Sequence, residues 1–436
     1  MKDAGHKKTA ILHSALKMMA VLVLKKYNPK IVSITGSVGK TSAKEAVQHV
    51  LAGKFRVRRS EKNYNNEIGL PLTIIGAESG KNSVWGWVLV FWKWLVVILF
   101  PIEYPEVLIL EMGADRPGDI DYLTRFVKSD VGVITDVSFS HIEFFKTLDA
   151  VAREKMTLVK KLRETNLAIV NFDNLYIRKN IDEIKSRIIT YGFSEKADMQ
   201  ATDIFFNYTE GKEIKGLSFK LNYKGTTLPV RMNNVLARHQ IYSALIAVSA
   251  GLEFGINLVK STALLGDFSA PCSRLNLIAG IKNSQIIDDT YNASPTSTLA
   301  ALEVLGEIKS LRKIVVLGDM LELGDETERG HQNIAKKFLE IKGDIFVSVG
   351  QRMKFAVSEL KSNGFSNENI YTFESPIDAG KKLQDLIKDG DLILVKGSQG
   401  LRMEKTVEEI MAEPQKAGEL LCRQNKEWKN KPFKQV

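Results

Sequence analysis

Residues 35–42 read Thr-Gly-Ser-Val-Gly-Lys-Thr-Ser and directly follow a short apolar run at residues 31–34. A strand, a glycine-rich turn and a helix start in this order are typical of phosphate-binding loops. The glycines let the backbone approach the anion, and the first N–H groups of the helix point at it. In such loops the lysine reaches the terminal phosphates and the next hydroxyl binds Mg²⁺. The segment therefore predicts that the chain binds and uses ATP.

The loop is shorter than the common phosphate-binding pattern, which would place a glycine where this chain has Ile34. A glycine-rich turn in an unrelated α/β protein therefore remains the competing interpretation. The residues that we expect to bind phosphate are Gly36, Ser37, Val38, Gly39, Lys40, Thr41 and Ser42.

Composition limits the class of protein. A chain of 436 residues with 44% hydrophobic residues can form two or three domains with substantial cores. The two cysteines, Cys272 and Cys422, lie far apart and have no metal-binding spacing, which indicates a reducing compartment. Together with the use of ATP, this predicts a cytoplasmic protein.

The positive charge is concentrated at the two ends of the chain. Residues 1–30 carry seven Lys and one Asp, and residues 413–436 carry six basic residues and three Glu. Of the net charge of +10, only +1 remains for the sequence between them. A basic track for nucleic acid is therefore not expected, whereas the basic ends could contact anionic lipid or serve as solubilising tails.

Two apolar stretches, residues 10–24 and 84–100, raise the question of membrane contact. The first resembles the centre of a signal peptide, but no small-residue cleavage site follows it, so export is not expected. The second holds four of the five tryptophans and a single charge, Lys93. It is short for a spanning helix, and tryptophan favours the membrane interface. We expect peripheral contact at the inner face of the membrane; a buried insertion and a partner-docking hairpin are the alternatives.

The pattern of apolar runs predicts an α/β protein. The first part alternates strands and helices, which indicates a parallel sheet, and residues 199–231 read as a small antiparallel annex. A second doubly wound, Rossmann-like unit follows. The expected segments are a basic apolar N-terminal segment (1–29), a central ATP-binding domain (30–270) with the insertion 84–100, a C-terminal domain (271–411) and a mobile basic tail (412–436).

Polar residues follow two of the predicted strands. Glu111 ends the strand 107–111 and could hold Mg²⁺ opposite the loop. The strand 131–135 runs towards His141, a second candidate metal ligand. A lone histidine is more often an ordinary surface or core residue, so its position after a strand is the only argument for a metal.

A longer series of motifs runs through the chain. These motifs are residues 35–41, Asn63 to Pro71, Glu111 to Ala114, Thr135 to His141, Arg274, Asp288 to Pro295, Leu317 to Gly324 and Lys396 to Ser398. Over about residues 30–411 the series resembles the central and C-terminal domains of the Mur ligase family. It most resembles the branch that joins D-alanyl-D-alanine to a muramyl tripeptide.

The resemblance implies roles for residues at matching positions. Lys40 and Thr41 would hold the phosphates of ATP and Mg²⁺, and Glu111 and His141 would bind metal. Lys155 would carry a carbamate that binds a second Mg²⁺, although without the resemblance it reads as an ordinary helix lysine. Lys40, Lys155 and His141 would thus be the catalytic residues.

Further residues are assigned to ATP and to the substrates by the same resemblance. Arg274 and Asp289 would contact the phosphate and the ribose of ATP. Gln240 stands where the family has an asparagine near adenine. The substrate residues would be Asn65, Asn66, Asn292 and Ser294.

The implied reaction is ATP-dependent amide formation through an acyl phosphate in peptidoglycan precursor synthesis, with domain closure before chemistry. The substrates would be a small cell-wall precursor and a dipeptide. The resemblance does not include the family's N-terminal UDP-binding domain, since only about thirty residues precede the loop. A lipid-linked or other carboxylate acceptor is therefore an alternative, as is a catalytically silent ATP-binding scaffold at the membrane.

Overall fold

A computed structural model describes residues 2–61, 64–81, 83–138, 142–210 and 213–429, with the backbone alone for residues 2–11, 142 and 143. The chain forms two compact units. The first comprises the chain up to Ile204, Phe219–Arg231 and His239–Asp267. The second comprises Phe205–Ser218, Met232–Arg238 and the chain from Phe268 onwards.

Besides two short 3₁₀ helices, the described part of the first 267 residues contains ten α-helices and nine strands. In chain order these are α1 (Lys2–Tyr27), β1 (Lys30–Thr35), α2 (Lys40–Ala52), β2 (Val57–Arg59), α3 (Gly69–Ile75), α4 (Val84–Leu99), β3 (Val107–Glu111), α5 (Asp119–Phe126), β4 (Val131–Ile134), α6 (Ile142–Phe145), α7 (Leu148–Lys160), β5 (Leu167–Asn171), α8 (Leu175–Arg178), β6 (Arg187–Gly192), β7 (Met199–Tyr208), β8 (Ile214–Tyr223), β9 (Thr226–Asn233), α9 (Gln240–Glu253) and α10 (Leu258–Leu264).

These strands form a sheet in the order β2-β3-β1-β4-β5-β6-β7-β8-β9. The pairs from β2 to β7 are parallel, and strands β1, β3, β4 and β5 are almost wholly buried, as expected for strands covered on both faces. A two-residue turn, Lys224-Gly225, joins β8 to β9 with positive φ at both residues, as in a tight antiparallel hairpin. The predicted parallel sheet with an antiparallel annex is confirmed, and the annex continues the edge of the main sheet.

The apolar stretch 10–24 lies within α1. Leu16, Met19, Ala20 and Val23 recur at helical spacing and are buried in the core of the first unit. Packing in the core therefore accounts for most of the apolar residues in this stretch. Among the described residues, no helix combines the length and the apolarity needed to cross a bilayer.

The second unit contains the remaining elements. They are β10 (Asn276–Ala279), β11 (Gln285–Asp289), α11 (Pro295–Glu307), β12 (Arg312–Gly318), α12 (Thr327–Glu340), β13 (Ile345–Val349), α13 (Lys354–Ser362), β14 (Ile370–Phe373), α14 (Pro376–Leu386), β15 (Asp391–Lys396), α15 (Glu404–Ile410), α16 (Ala417–Leu420) and α17 (Lys426–Lys429).

Its sheet has the order β10-β11-β15-β12-β13-β14 and is parallel except for the edge pair of β10 with β11. Apolar clusters lie on both faces of this sheet, because the alternate residues of its buried strands point to opposite sides. The predicted Rossmann-like second unit is confirmed.

The described part of the C-terminal segment packs against this unit. Leu421 is buried, and Arg423 forms an ion pair of 3.2 Å with the buried Glu404 of α15. The guanidinium groups of Arg402 and Arg423 lie over the ring of Trp428, 5.4 and 5.5 Å from its centroid. The expectation of a mobile tail is therefore wrong for residues 413–429.

Candidate active site

The glycine-rich loop joins β1 to α2 at the carboxyl end of the sheet. Gly39 precedes the first residue of α2 with φ of 81°, a left-handed conformation that glycine adopts without strain. A Cβ atom on Gly36 would lie 1.9 Å from the Thr135 hydroxyl oxygen. Both glycines are therefore required by the local geometry.

The loop is braced by the residues that follow β4. The Ser37 amide donates to the Asp136 carbonyl at 2.8 Å, and the Ser138 amide donates to the Ser37 hydroxyl at 3.0 Å. The Thr135 hydroxyl donates to the Val38 carbonyl at 2.5 Å. These hydrogen bonds fix the loop. The N–H groups at the N-terminus of α2 therefore keep a constant orientation, as phosphate binding requires.

Lys40 folds over the loop. Its ammonium group donates to the carbonyls of Gly36 and Ser37 at 2.6 and 3.2 Å. The positive charge therefore lies at the mouth of the loop, next to the N-terminus of α2, where the helix dipole also favours an anion.

Thr41, in the first turn of α2, lies beside Glu111, the last residue of β3. The Thr41 hydroxyl donates to the Glu111 carboxylate at 3.3 Å, because β1 pairs with β3 and brings Ile34 opposite Glu111. The buried ammonium group of Lys44 lies 3.4 Å from the same carboxylate. The sheet thus brings the two predicted metal-binding side chains together with a third, cationic group.

Lys155 is buried on the inner face of α7. Burial lowers its pKa to about 8, and the positive charge of Lys40 acts in the same direction. The negative charges of Glu154, Asp136 and Asp115 oppose this change of the pKa. At pH 7 about a tenth of the Lys155 amine is therefore neutral, far more than for a solvated lysine.

His141 lies outside the described residues. No group of three or more His, Cys, Asp and Glu side chains arranged for a metal occurs in the part of the chain that the structure describes. Of the predicted metal-binding side chains, the structure describes Thr41, Glu111 and Lys155.

Gln240 begins α9 and is completely buried against α2. Its amide donates to the Ser42 hydroxyl at 3.2 Å, while its carbonyl oxygen has no hydrogen-bond partner among the described residues. In this conformation the side chain supports the start of α2, and contact with adenine would require it to become exposed.

A cavity of about 930 Å³ lies in the first unit beside the loop that follows β3. Asn65 and Asn66 line it, and the Gly113 amide donates to the Asn65 carbonyl at 2.7 Å. The Asn66 side chain accepts the amides of Ile68 and Gly69, so it also shapes the start of α3. Other lining residues are His13, Ser14, Arg116 and Asp119.

The predicted ATP residues of the second unit lie near the end of β11. Asp289 accepts a hydrogen bond from the buried Lys396 at 2.5 Å. Burial raises the pKa of Asp289, and the Lys396 charge opposes that change. The Arg274 guanidinium lies 4.3 Å from the centroid of the Tyr291 ring.

The two predicted amine-site residues of this unit have structural contacts. The Asn292 side chain accepts the Gln399 amide at 3.2 Å. Ser294 is the N-cap of α11 and forms a capping box with Ser297. These contacts order the loop between β11 and α11.

Sequence reasoning missed Lys44. The signal for Lys44 was its spacing, because a residue four positions after Lys40 lies on the same face of a helix. Thr135 and Ser138 belong to the motif Thr135 to His141, but no local signal predicted that their hydroxyl and amide groups brace the loop. They contact the loop only because β4 pairs with β1 across about a hundred residues of sequence.

Two family models match the chain. The Mur ligase middle domain matches residues 96–251, and the Mur ligase glutamate ligase domain matches residues 273–399. The chain belongs to the Mur ligase family, whose members are ATP-dependent amide ligases.

Two relatives share the name UDP-N-acetylmuramoyl-tripeptide–D-alanyl-D-alanine ligase. The protein from Bacillus subtilis is 28% identical over 402 residues, which cover 92% of this chain and 80% of the relative. The protein from Escherichia coli is 29% identical over 396 residues, which cover 89% of this chain and 78% of the relative.

Solved structures of similar proteins have the same fold. MurF from Acinetobacter baumannii has a TM-score of 0.74 and 26% identity, covering 91% of this chain and 79% of its own. MurF ligase from Thermotoga maritima, in complex with ADP, has a TM-score of 0.71 and 25% identity, covering 93% and 84%.

Proposed function

We propose that this enzyme joins D-alanyl-D-alanine to the carboxylate of a UDP-muramyl tripeptide in peptidoglycan precursor synthesis. The observation that carries the proposal is the phosphate-binding loop, with Lys40 at its mouth and Thr41 beside Glu111 at the end of the neighbouring strand. The names of the relatives supply the pair of substrates.

The reaction has two steps. The acceptor carboxylate attacks the γ-phosphorus of ATP, which gives an acyl phosphate and releases ADP. The dipeptide amine then attacks the acyl carbon, inorganic phosphate leaves with one former carboxylate oxygen, and the amine proton passes to solvent. Lys40 and the N-terminal N–H groups of α2 stabilise the charge on the phosphates.

Thr41 and Glu111 are the residues that we propose to hold Mg²⁺. A hydroxyl and a carboxylate oxygen 3.3 Å apart fit this ion, which typically takes one or two protein ligands and completes its coordination with phosphate and water. His141 is a further proposed ligand. When bound, the ion offsets negative charge on the phosphates.

Lys155 fits the proposed carbamate. Only a neutral amine captures CO₂, and a buried lysine with a pKa of about 8 is neutral far more often than a solvated one. The anionic carbamate would supply a ligand for a second Mg²⁺.

The remaining predicted residues are proposed to bind ATP and the substrates. Arg274, Asp289 and Gln240 are assigned to ATP. Asn65 and Asn66 are assigned to the acceptor, since both line the 930 Å³ cavity. Asn292 and Ser294 are assigned to the amine.

We further propose that the reaction takes place in the cytoplasm, with peripheral contact between the protein and the inner face of the membrane. The exposed apolar surface of α4 supports the contact. Residues 10–24 would contribute mainly by holding α4, because their apolar face is buried. This surface also keeps a lipid-linked acceptor open as a second candidate substrate.

The test is release of phosphate from ATP with different pairs of acceptor and amine. UDP-muramyl tripeptide with D-alanyl-D-alanine should give phosphate and amide in equal amounts, and Lys40→Ala should abolish both. Turnover only with a lipid-linked muramyl peptide would favour the second candidate. ATP binding without turnover for any pair would overturn the ligase assignment in favour of a silent scaffold.

A further inference from the structure

One side of α4 carries a continuous stripe of large apolar side chains in contact with solvent. Their spacing of three or four residues places them on one face of the helix. The exposed fractions are 77% for Trp85, 68% for Leu89, 60% for Trp92, 43% for Val96 and 67% for Leu99. Monomeric proteins rarely leave such a contiguous apolar surface uncovered.

The opposite side of α4 is held firmly by the first unit. Val90 and Val97 are buried in its core, and the Trp94 indole donates to the Met19 carbonyl of α1 at 3.1 Å. The stripe is therefore presented by an anchored helix, and no repacking of α4 is needed to expose it.

The C-terminal end of α4 has a second attachment to α1. The Lys26 ammonium group donates to the carbonyls of Val97, Ile98 and Phe100 at 2.8 to 2.9 Å. These bonds satisfy carbonyls that a helix end leaves without partners and place a cation at the negative end of its dipole. The orientation of α4 is thus fixed at its end as well as along its inner face.

The charges around the stripe favour an anionic partner. Between Glu78 and Glu103 the sequence contains Lys81 and Lys93 and no acidic residue. Lys93 lies on the exposed side of α4, among the apolar residues. A cation in an apolar surface suits a lipid interface, where its long side chain can reach the phosphates.

A second copy of the chain is a poorer occupant. In a symmetric dimer formed through this stripe both copies would use the same patch, so two acid-free faces that each carry Lys93 would meet without a compensating negative charge. A spanning arrangement is also unsuitable, because a helix of 16 residues is about 24 Å long and the hydrocarbon core is about 30 Å thick.

We propose that the exposed face of α4 is a membrane-docking surface that lies in the interface of an anionic bilayer. Trp85 and Trp92 sit at the level of the headgroups, and Lys93 contacts lipid phosphates. This deepens the peripheral contact put forward with the proposed function, and it does not depend on which amide the enzyme makes.

The same arrangement links the membrane to the cavity. His13 and Ser14 of α1 line the 930 Å³ cavity, and residues 19–26 of the same helix hold α4. At 1.5 Å per residue these two parts of α1 are about 8–20 Å apart. Docking would therefore hold the cavity near the bilayer surface, where a lipid-linked acceptor is concentrated.

The test is flotation of the full-length protein with vesicles of phosphatidylcholine, alone or mixed with phosphatidylglycerol. The wild-type protein should float with the anionic vesicles, less with the neutral ones, and less at high salt. The variant Trp85→Glu/Leu89→Glu/Trp92→Glu should lose at least about tenfold in partition, since three apolar contacts are replaced by repelled charges.

Matched controls distinguish the loss of membrane docking from a loss of folding and from a general effect of added negative charge. Phe205→Glu/Val259→Glu/Leu311→Glu changes three exposed apolar residues that are not part of α4 and should bind as the wild type does. Lys93→Gln should lower binding to anionic vesicles by about fivefold without affecting neutral ones. Circular dichroism should be the same for all variants.

Three results would overturn the proposal: no binding of the wild type to anionic vesicles, equal binding by the α4 variant, or a lipid-free dimer that the α4 variant dissociates. Turnover with the soluble acceptor is measured in parallel. Flotation without turnover of the soluble acceptor would count against that acceptor alone, and turnover without flotation would count against docking alone.

Discussion

The environment of Lys155 differs strongly from that of a lysine in water. Burial and the nearby charge of Lys40 lower its pKa from 10.5 to about 8. The folded protein therefore binds fewer protons than the unfolded chain between pH 8 and pH 10.5. The free energy of unfolding must therefore rise with pH between pH 8 and pH 10.5. Below pH 8 it is lowered by a constant amount.

We predict that Lys155→Met, in CO₂-free buffer at pH 7, is more stable than the wild type by up to about 3 kcal/mol, which corresponds to the change in pKa. The difference should vanish towards pH 10.5. Denaturant unfolding from pH 7 to pH 10.5 measures it. A difference that stays constant over this range would mean that Lys155 is not buried as a charged group.

Lys155→Ala provides the corresponding functional readout. We expect it to lose most of the turnover and to recover part of it when a small carboxylic acid is added, since the acid would supply the missing anion. Wild-type rates in this variant would exclude a carbamate role.

Lys44 is the residue that sequence reasoning did not identify. Its buried ammonium group lies 3.4 Å from Glu111 and 3.7 Å from Glu45. We propose that it holds the Glu111 carboxylate towards Thr41. We predict that Lys44→Met lowers the free energy of unfolding by about 3 kcal/mol, because it leaves a buried carboxylate without its cation.

The control for Lys44 is a double-mutant cycle with Glu111→Gln, measured by denaturant unfolding. Removing both charges should restore much of the stability lost by Lys44→Met, since no buried charge then remains unpaired. Additive losses in the double variant would show that the two side chains do not interact.

At the scale of elements, the loop between β1 and α2 depends on its approach to the end of β4. A methyl group on Gly36 would collide with the Thr135 hydroxyl at 1.9 Å and approach the Asp136 amide at 3.0 Å. We predict that Gly36→Ala weakens ATP binding by at least about tenfold, because the backbone must shift and its phosphate-directed N–H groups lose alignment.

Gly225→Ala is the matched control, measured beside Gly36→Ala by calorimetric titration with ATP. Gly225 also has a positive φ, of 77°, but no atom lies within 4 Å of a Cβ built there. Gly225→Ala should lower the free energy of unfolding by about 1 kcal/mol and leave the affinity for ATP unchanged. Equal ATP affinity in both variants would contradict the role of the close approach.

The sequence predicted the elements that carry strong local signals. The apolar runs that became β1, β3 and β4 are continuous and bounded by glycine or polar residues, as buried parallel strands are. The strand β2 and the helical turns after Glu413 were not predicted. They are short and polar, and their stability comes from partners distant in sequence.

At the scale of the whole molecule, the order of the motifs was sufficient to predict the family. The spacing of residues 35–42 was sufficient to predict the phosphate-binding loop. The contacts between side chains were not predictable, because pairs such as Thr41 with Glu111 and Ser37 with Ser138 are separated by 70 and 101 residues. Only the sheet order β3-β1-β4 brings these pairs together. The role of α1 was also not predictable from the sequence. Its apolar stretch resembles the centre of a signal peptide, but most of its described apolar residues are buried in the core or packed against it.

The central claim is that the enzyme activates a carboxylate by transferring phosphate to it before an amine attacks. Acceptor labelled with ¹⁸O in that carboxylate, incubated with ATP and D-alanyl-D-alanine, tests this directly by mass spectrometry of the products. We predict one ¹⁸O atom in the inorganic phosphate for each amide formed. Phosphate free of ¹⁸O, or phosphate released without amide, would contradict the account.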